Sequence, residues 1–220
     1  MRPLWLDTVT DWLSRRENAF PLTEVQLSQL SLFKERLLEA NQYMNLTAIT
    51  EDEAIAKKHF IDSLSLLPWI TPGAKLLDIG AGAGFPGLPL KIARPDIHLT
   101  LLDSLRKRIL FLRETADALN LDNVECVHAR AEEINKTGAY RARSDICTAR
   151  AVARLDRLAG YALPFLKPGG LFLAMKGPDA ADEIKEAEGK INKLGGRVLE
   201  IRAVEIAEGM KHSVVVVEAV

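Results

Sequence analysis

The chain has 220 residues, with 29 lysines and arginines against 30 aspartates and glutamates, and 48% of it is hydrophobic. That length supports one domain with an appendage and a core that needs no covalent staples. A formal net charge of −1 excludes a wholly basic nucleic-acid-coating protein, so any polyanion must meet a local patch.

In chain order, the opening stretch MRPLWLDTVTDWLSRR has apolar residues at helical spacing. Asp7 and Asp11 interrupt it, so no signal-peptide core is read there. Thr23-Glu-Val-Gln26 fits a capping box ahead of Leu27, Leu30, Phe33, Leu37 and Leu38 on one face. A second box, Thr50-Glu-Asp-Glu53, is expected to start a helix running through Ile55 and Phe60 toward Leu67, with Pro68 as its stop. No strand pattern occurs up to about residue 70, so residues 1–70 are expected to form a helical N-terminal extension.

From Lys75 the pattern alternates. KLLDIG, HLTLLD, VECVHA, SDICTA and GGLFLAMKG are expected as strands one to five. A glycine loop opens the first intervening helix, which ends before Arg94-Pro95. The next carries Leu105, Ile109, Leu112, Ala116 and Leu119 as a stripe of 3.6-residue period. VARLDRLAGYAL makes a third, closed by Pro164, and a polar helix with Ile184, Ala187, Ile191 and Leu194 stops at Gly195-Gly196. RVLEIRAVEI and SVVVVEAV close the chain. The segment from Ala207 to His212 between them is too short for a crossover, so they should pair antiparallel. Residues 71–220 are therefore expected to be one α/β domain, a mostly parallel seven-stranded sheet with an antiparallel C-terminal strand and helices on both faces. Cys126 and Cys147 lack C-x-x-C spacing, and no apolar run approaches membrane-spanning length. A soluble, reduced, cytoplasmic protein is expected.

The chemistry concentrates in LLDIGAGAGFPGLPL. Gly80, Gly82 and Gly84 read as G-x-G-x-G behind Asp78, while Gly82, Gly84 and Gly87 read as G-x-G-x-x-G. Both describe a loop between a buried strand and a helix, where a Cβ would block the turn or the ligand. Asp103 ends the second strand 23 positions after Gly80, where an acid accepts hydrogen bonds from ribose hydroxyls. Loop and acid together point to a nucleoside-containing cofactor. Three features favour S-adenosylmethionine over a dinucleotide. The Asp78 carboxylate suits a cationic methionine end and repels a pyrophosphate. The chain closes in a strand pair, as methyltransferase sheets of this class do. Neither Tyr-x-x-x-Lys nor a second domain is present to serve a hydride acceptor.

Six segments occur in order: Asn45-Leu-Thr47, His59-Phe-Ile-Asp-Ser-Leu64, Asp78-Ile-Gly-Ala-Gly-Ala-Gly-Phe-Pro-Gly87, Leu102-Asp-Ser-Leu-Arg-Lys-Arg108, Arg130-Ala-Glu-Glu133 and Ala149-Arg-Ala-Val152. Together they resemble the glucose-inhibited division protein B family, guanine-N7 methyltransferases of small-subunit ribosomal RNA, over about residues 25–220. The resemblance implies a class I, Rossmann-like methyltransferase fold. It also implies that Gly80 lies under the methionine portion of the cofactor and Phe85 flanks it. Ala131 and Glu132 would meet the adenine, and Arg150 would complete the site. Glu132 could instead serve as a helix N-terminal carboxylate and Arg150 as a salt-bridged surface arginine. The implied partner is 16S ribosomal RNA or the small ribosomal subunit, with no metal, no membrane and a monomeric enzyme.

Strand four is followed by Thr148-Ala-Arg-Ala and not by the Asn/Asp-Pro-Pro-Tyr clamp used on exocyclic amines. Cys147 lies in an apolar strand with no activating base nearby, which argues against a cytosine-C5 nucleophile. Guanine N7 needs neither, because its lone pair is already nucleophilic. Asn45 is a candidate to read the base, or a helix cap. Basic residues cluster at Arg106, Lys107, Arg108 and Arg113, and at Arg141, Arg143, Arg150, Arg154 and Arg157. Arg154, taken as one helical turn beyond Arg150, is the candidate RNA contact. A methyltransferase for another RNA or a small molecule, a non-catalytic RNA-binding module and an NAD-dependent enzyme remain as alternatives.

Overall fold

A computed structural model describes residues 2–15, 20–150, 153–177 and 180–220. Ala151 and Val152, which end one motif and begin an expected helix, lie outside the described residues.

Among the described residues, the elements that precede the sheet are all helical. Helix α1 spans Leu4–Ser14 and α2 spans Glu24–Met44. The Thr23 box forms as expected: Gln26 N donates to the Thr23 hydroxyl and Thr23 N donates to the Gln26 side chain. Such a cap contributes about 1 kcal/mol. Asn45 ends α2 in the left-handed region, φ 52°, which asparagine tolerates better than most residues.

The second box does not form. Glu51 is the N-cap of α3, Asp52–Ile55, and makes no side-chain cap bond. The helix also changes pitch, becoming π-helical over Ala56–Ile61 before α4, Asp62–Leu64. Pro68 lies inside a 3-10 turn, Leu67–Trp69, beyond the helix it was expected to stop.

All seven strands appear where expected: β1 Lys75–Ile79, β2 His98–Asp103, β3 Val124–His128, β4 Ser144–Arg150, β5 Leu166–Lys176, β6 Gly196–Ala207 and β7 Met210–Ala219. Their order in the sheet is β3-β2-β1-β4-β5-β7-β6. Strands β1 to β5 pair parallel, and β7 runs antiparallel between β5 and β6. The closing hairpin is tighter than expected: Ala207 pairs with Met210 across Glu208-Gly209, and Gly209 has φ 72°.

Helix α5 spans Gly87–Ala93, α6 Arg106–Ala118, α7 Ala131–Ile134, α8 Leu155–Ala162 and α9 Ala180–Lys193. Two buried clusters fill the two faces. One joins α1, α2 and the π-helical segment to α5 and α6. The other lies under α8 and α9. The order reverses at β1, whose neighbours are β2 on one side and β4 on the other. Parallel sheets bind ligands beyond the carboxyl ends of strands at such a switch point.

Candidate active site

The glycine loop leaves β1 at this switch point and is tied down along its length. Gly80 N and Ala81 N both donate to Leu102 O, at 2.8 and 3.0 Å, and Gly82 N donates to Asp103 Oδ2 at 2.9 Å. Gly80 has φ 71°, a left-handed conformation that side-chain-bearing residues resist.

Asp78 faces away from the ligand side. It is buried, accepts from Gly87 N at 3.0 Å and from the Thr148 hydroxyl at 3.0 Å, and lines neither cleft beside the loop. Burial raises its carboxyl to about 6, with the two hydrogen bonds pulling the other way. The first amide of α5 is thus capped from within and is not free to face a ligand. The physical reason is spacing. A Cβ on Gly87 would lie 2.9 Å from Asp78 Oδ2, so glycine lets strand and helix approach closely enough for the carboxylate to reach across. A pyrophosphate loses the same amide, which weighs against a dinucleotide on different grounds from charge repulsion.

Two clefts flank the loop and share Gly80, Asp103 and Ser104. The first is walled by Leu46, Thr47, His59, Phe85, Arg108 and Arg150. The second is walled by Leu102, Ala131, Glu132, Arg157 and Tyr161. Gly80, Gly82, Phe85, Asp103, Ala131, Glu132 and Arg150, chosen on sequence, all lie along this continuous surface. The fit is to a nucleoside carrying a short polar chain. The second cleft offers an apolar floor for a base, Asp103 stands at the junction, and glycines leave room beside the first. Asp103 is also an anchor of the loop, since its other oxygen accepts from Leu105 N at 2.8 Å and Arg108 lies 3.4 Å away.

The first cleft is built from sequence-distant parts. The rings of His59 and Phe85 stack at 4.6 Å, and the Arg150 guanidinium lies 5.1 Å over the opposite partner, Phe85. Arg150 Nη1 donates to Lys58 O at 2.9 Å and to Asp62 Oδ2 at 3.0 Å. His59 Nε2 is 2.9 Å from the Thr47 hydroxyl and Nδ1 is 3.1 Å from Lys58 O. Burial, then the neighbouring guanidinium, pushes the His59 imidazole down to about 4, so it is neutral at physiological pH.

These two shifts oppose each other. A depressed histidine contributes stability above pH 6.5 that is lost as pH falls toward 4, by about 3 kcal/mol. A raised carboxyl contributes stability below pH 3.8 that is lost as pH rises through 6, by a similar amount, about 3 kcal/mol. Between pH 4 and 6 the wild-type terms largely cancel. We therefore expect His59→Gln to gain stability relative to wild type on acidification from pH 7 to 4.5. Asp78→Asn should lose stability relative to wild type over the same range. Urea denaturation at the two pH values checks both signs.

Other candidates fare differently. Asn45 is exposed at the α2 C-terminus, next to cleft residues Leu46 and Thr47 but outside the cleft wall. Arg154 is the N-cap of α8, not a residue one helical turn past Arg150, and its guanidinium bonds Glu186 of α9 outside both clefts. Cys147 is fully buried, donates weakly to Ala162 O and has its thiol pushed far up by burial, while burial raises Cys126 to about 11. Neither is an activated nucleophile. Sequence reasoning passed over Thr47, His59, Tyr161 and Arg157 as wall residues. Thr47 and His59 stood inside quoted motifs, but nothing local assigned them to the wall.

Among the described residues, no group of three or more histidines, cysteines and carboxylates could hold a metal ion. None of their helices is long and apolar enough to cross a membrane. Fold and clefts define a methyltransferase that uses S-adenosylmethionine. Its architecture matches a SAM-dependent methyltransferase from Aquifex aeolicus at TM-score 0.56 and 19% identity, over 76% of this chain and 93% of that one. It also matches M. jannaschii TYW2 in complex with AdoMet at TM-score 0.58 and 18% identity, over 73% and 76%. The family model for rRNA small subunit methyltransferase G matches residues 26–214, and the chain belongs to that family. The ribosomal RNA small subunit methyltransferase G of Alkaliphilus oremlandii is 46% identical over 90% of this chain and 84% of that protein. The protein of the same name from Clostridium novyi is 45% identical over 88% and 81%.

Proposed function

We propose that the enzyme methylates N7 of a guanine in 16S ribosomal RNA by direct in-line transfer, acting as a cytoplasmic monomer. S-adenosylmethionine supplies a methyl group on a sulfonium sulfur, which the N7 lone pair accepts as S-adenosylhomocysteine leaves. Such a transfer asks the protein for alignment and exclusion of water, not for proton removal. The observation that carries the reading is the make-up of the first cleft. Its wall is Thr47, His59, Phe85 and Arg150, with the imidazole stacked and engaged at both nitrogens, and no reactive thiol lies in it.

Within this reading Gly80 and Gly82 make room for the methionine portion and Asp103 receives the ribose. Ala131 and Glu132 meet the adenine. Arg150 presents a fixed positive group where the guanine O6 edge would approach. Asn45, beside the cleft, contacts the RNA strand. We place the first phosphates on Arg108 of the cleft wall and on its basic neighbours Arg106 and Lys107, with Lys58 beside His59, and a further phosphate on Arg154, whose exposed pairing with Glu186 it would replace. Lys107 already reaches Met44 O across the rim, at 3.5 Å.

The test is to incubate 16S RNA, and separately small subunits, with labelled S-adenosylmethionine and to map the product by borohydride and aniline cleavage. One N7-methylguanine is expected, with RNA affinity falling steeply as salt rises. Since N7 lies in the deep groove of A-form RNA, a rigid duplex of the target sequence should be a poor substrate. Label on a cytosine or on an exocyclic amine would overturn the reading.

A further inference from the structure

Asp62 and His212 occupy a position that neither the cofactor nor the guanine accounts for. Asp62 is presented just past the π-helical turn, a feature that concentrates at functional sites. Its carboxylate is divided between two cations or potential cations from distant parts of the chain. Oδ2 lies 3.0 Å from Arg150 Nη1 at the end of β4, and Oδ1 lies 2.5 Å from His212 Nδ1 on β7. All three side chains are mostly buried, at 16%, 19% and 13% exposure for Asp62, Arg150 and His212. The His212 Nδ1 atom is fully buried and makes no conventional hydrogen bond among the described residues, and the Asp62 carboxylate is the group that faces it. Its other nitrogen lies 3.5 Å from the Ser65 hydroxyl, one turn beyond Asp62.

The Arg150 guanidinium, 5.1 Å over the Phe85 ring, receives no directional bond from the ring that would stop its rotation. The Lys58 carbonyl and the Asp62 carboxylate remove that rotation. His212 in turn faces Asp62, and it does so from a strand that contributes none of the described residues of the cleft wall. We propose that Asp62 and His212 are positioning residues for Arg150, through which the C-terminal hairpin sets the orientation of the guanidinium in the methyl-transfer cleft. This rests on the reading of Arg150 as a residue of that cleft.

The test is a pair of double-mutant cycles on kcat/KM for methylation of 16S RNA, with KM for S-adenosylmethionine and kcat resolved. Asp62→Asn keeps shape and removes the charge. His212→Phe removes the polar ring, and His212→Asn restores a donor near the Nδ1 position. We expect Asp62→Asn to lower kcat/KM at least tenfold and His212→Phe about fivefold, with His212→Asn recovering most of that loss. In an Arg150→Ala background each of these changes should have less than a twofold further effect, because the group they orient is gone. Full multiplicative losses in that background would overturn the proposal while leaving Arg150 in the site. An Arg150→Ala enzyme of wild-type activity would instead overturn the reading on which the proposal rests, and the proposal with it. If Asp62→Asn does not fold, the His212 cycle decides alone. Failure of His212→Asn to recover activity counts against the proposal.

Discussion

Replacing Gly80 with aspartate should abolish S-adenosylmethionine binding in titration calorimetry. Two effects act, and they can be separated. Any side chain at φ 71° carries a backbone cost of about 1–2 kcal/mol, which falls on the stability of the loop and not directly on ligand affinity. A carboxylate there also projects into the junction of the two clefts, next to Asp103, where it occupies ligand space and adds like charge. Gly80→Ala should therefore lower thermal stability with a smaller change in affinity, while Gly80→Asp should lose at least ~10²-fold in affinity. Equal affinities for Gly80→Asp and wild type would remove the loop from the cofactor site.

The second large effect is expected at Arg150. Removing one fixed electrostatic group from an enclosed site costs about 10²–10³-fold in turnover, or ~3–4 kcal/mol. Arg150→Ala should show a loss of that size. Its melting temperature should fall by only a few degrees, because Asp62 keeps His212 as a partner when the guanidinium is removed. Arg150→Lys should recover little. An ammonium lacks the planar face that Arg150 sets over Phe85, and it has no second nitrogen to lie toward His59 Nδ1 while the first serves Lys58 O and Asp62. A variant that unfolds readily yet turns over normally would make Arg150 a structural residue.

Local signals carried most of this fold. The alternation of apolar runs and amphipathic stripes located each strand, and the Thr23 box marked the start of α2 to the residue. The glycine loop and Asp103 were legible because a turn that must admit a ligand leaves a compositional mark. The misreadings share one cause, an assumption that spacing along the chain stays regular. Arg154 was counted as one turn from Arg150, but a strand end and an extended cap residue separate them. Thr50 has the right neighbours for a cap, yet the helix begins one residue later and then widens into a π turn. Asp78 sits in the ligand signature, and nothing in the sequence says which side of the strand its carboxylate serves. The partners of Arg150 lie 88 and 92 positions away in sequence, so no pattern within a window could have joined them.

Phe33 of α2, Phe60 of the π-helical segment and Phe85 of the glycine loop form one aromatic cluster, with ring centroids 4.9 to 5.9 Å apart. The helices before the sheet and the glycine loop are thus built against each other. This limits how the protein can be recombined. Joining these helices to the sheet of an unrelated methyltransferase would leave Phe33 and Phe60 facing a loop that lacks their third ring. Cutting them away would expose Phe85, the ring on which Arg150 rests. These helices and the glycine loop form a single packed block, and a chimera that respects this should carry residues 23 to 90 together.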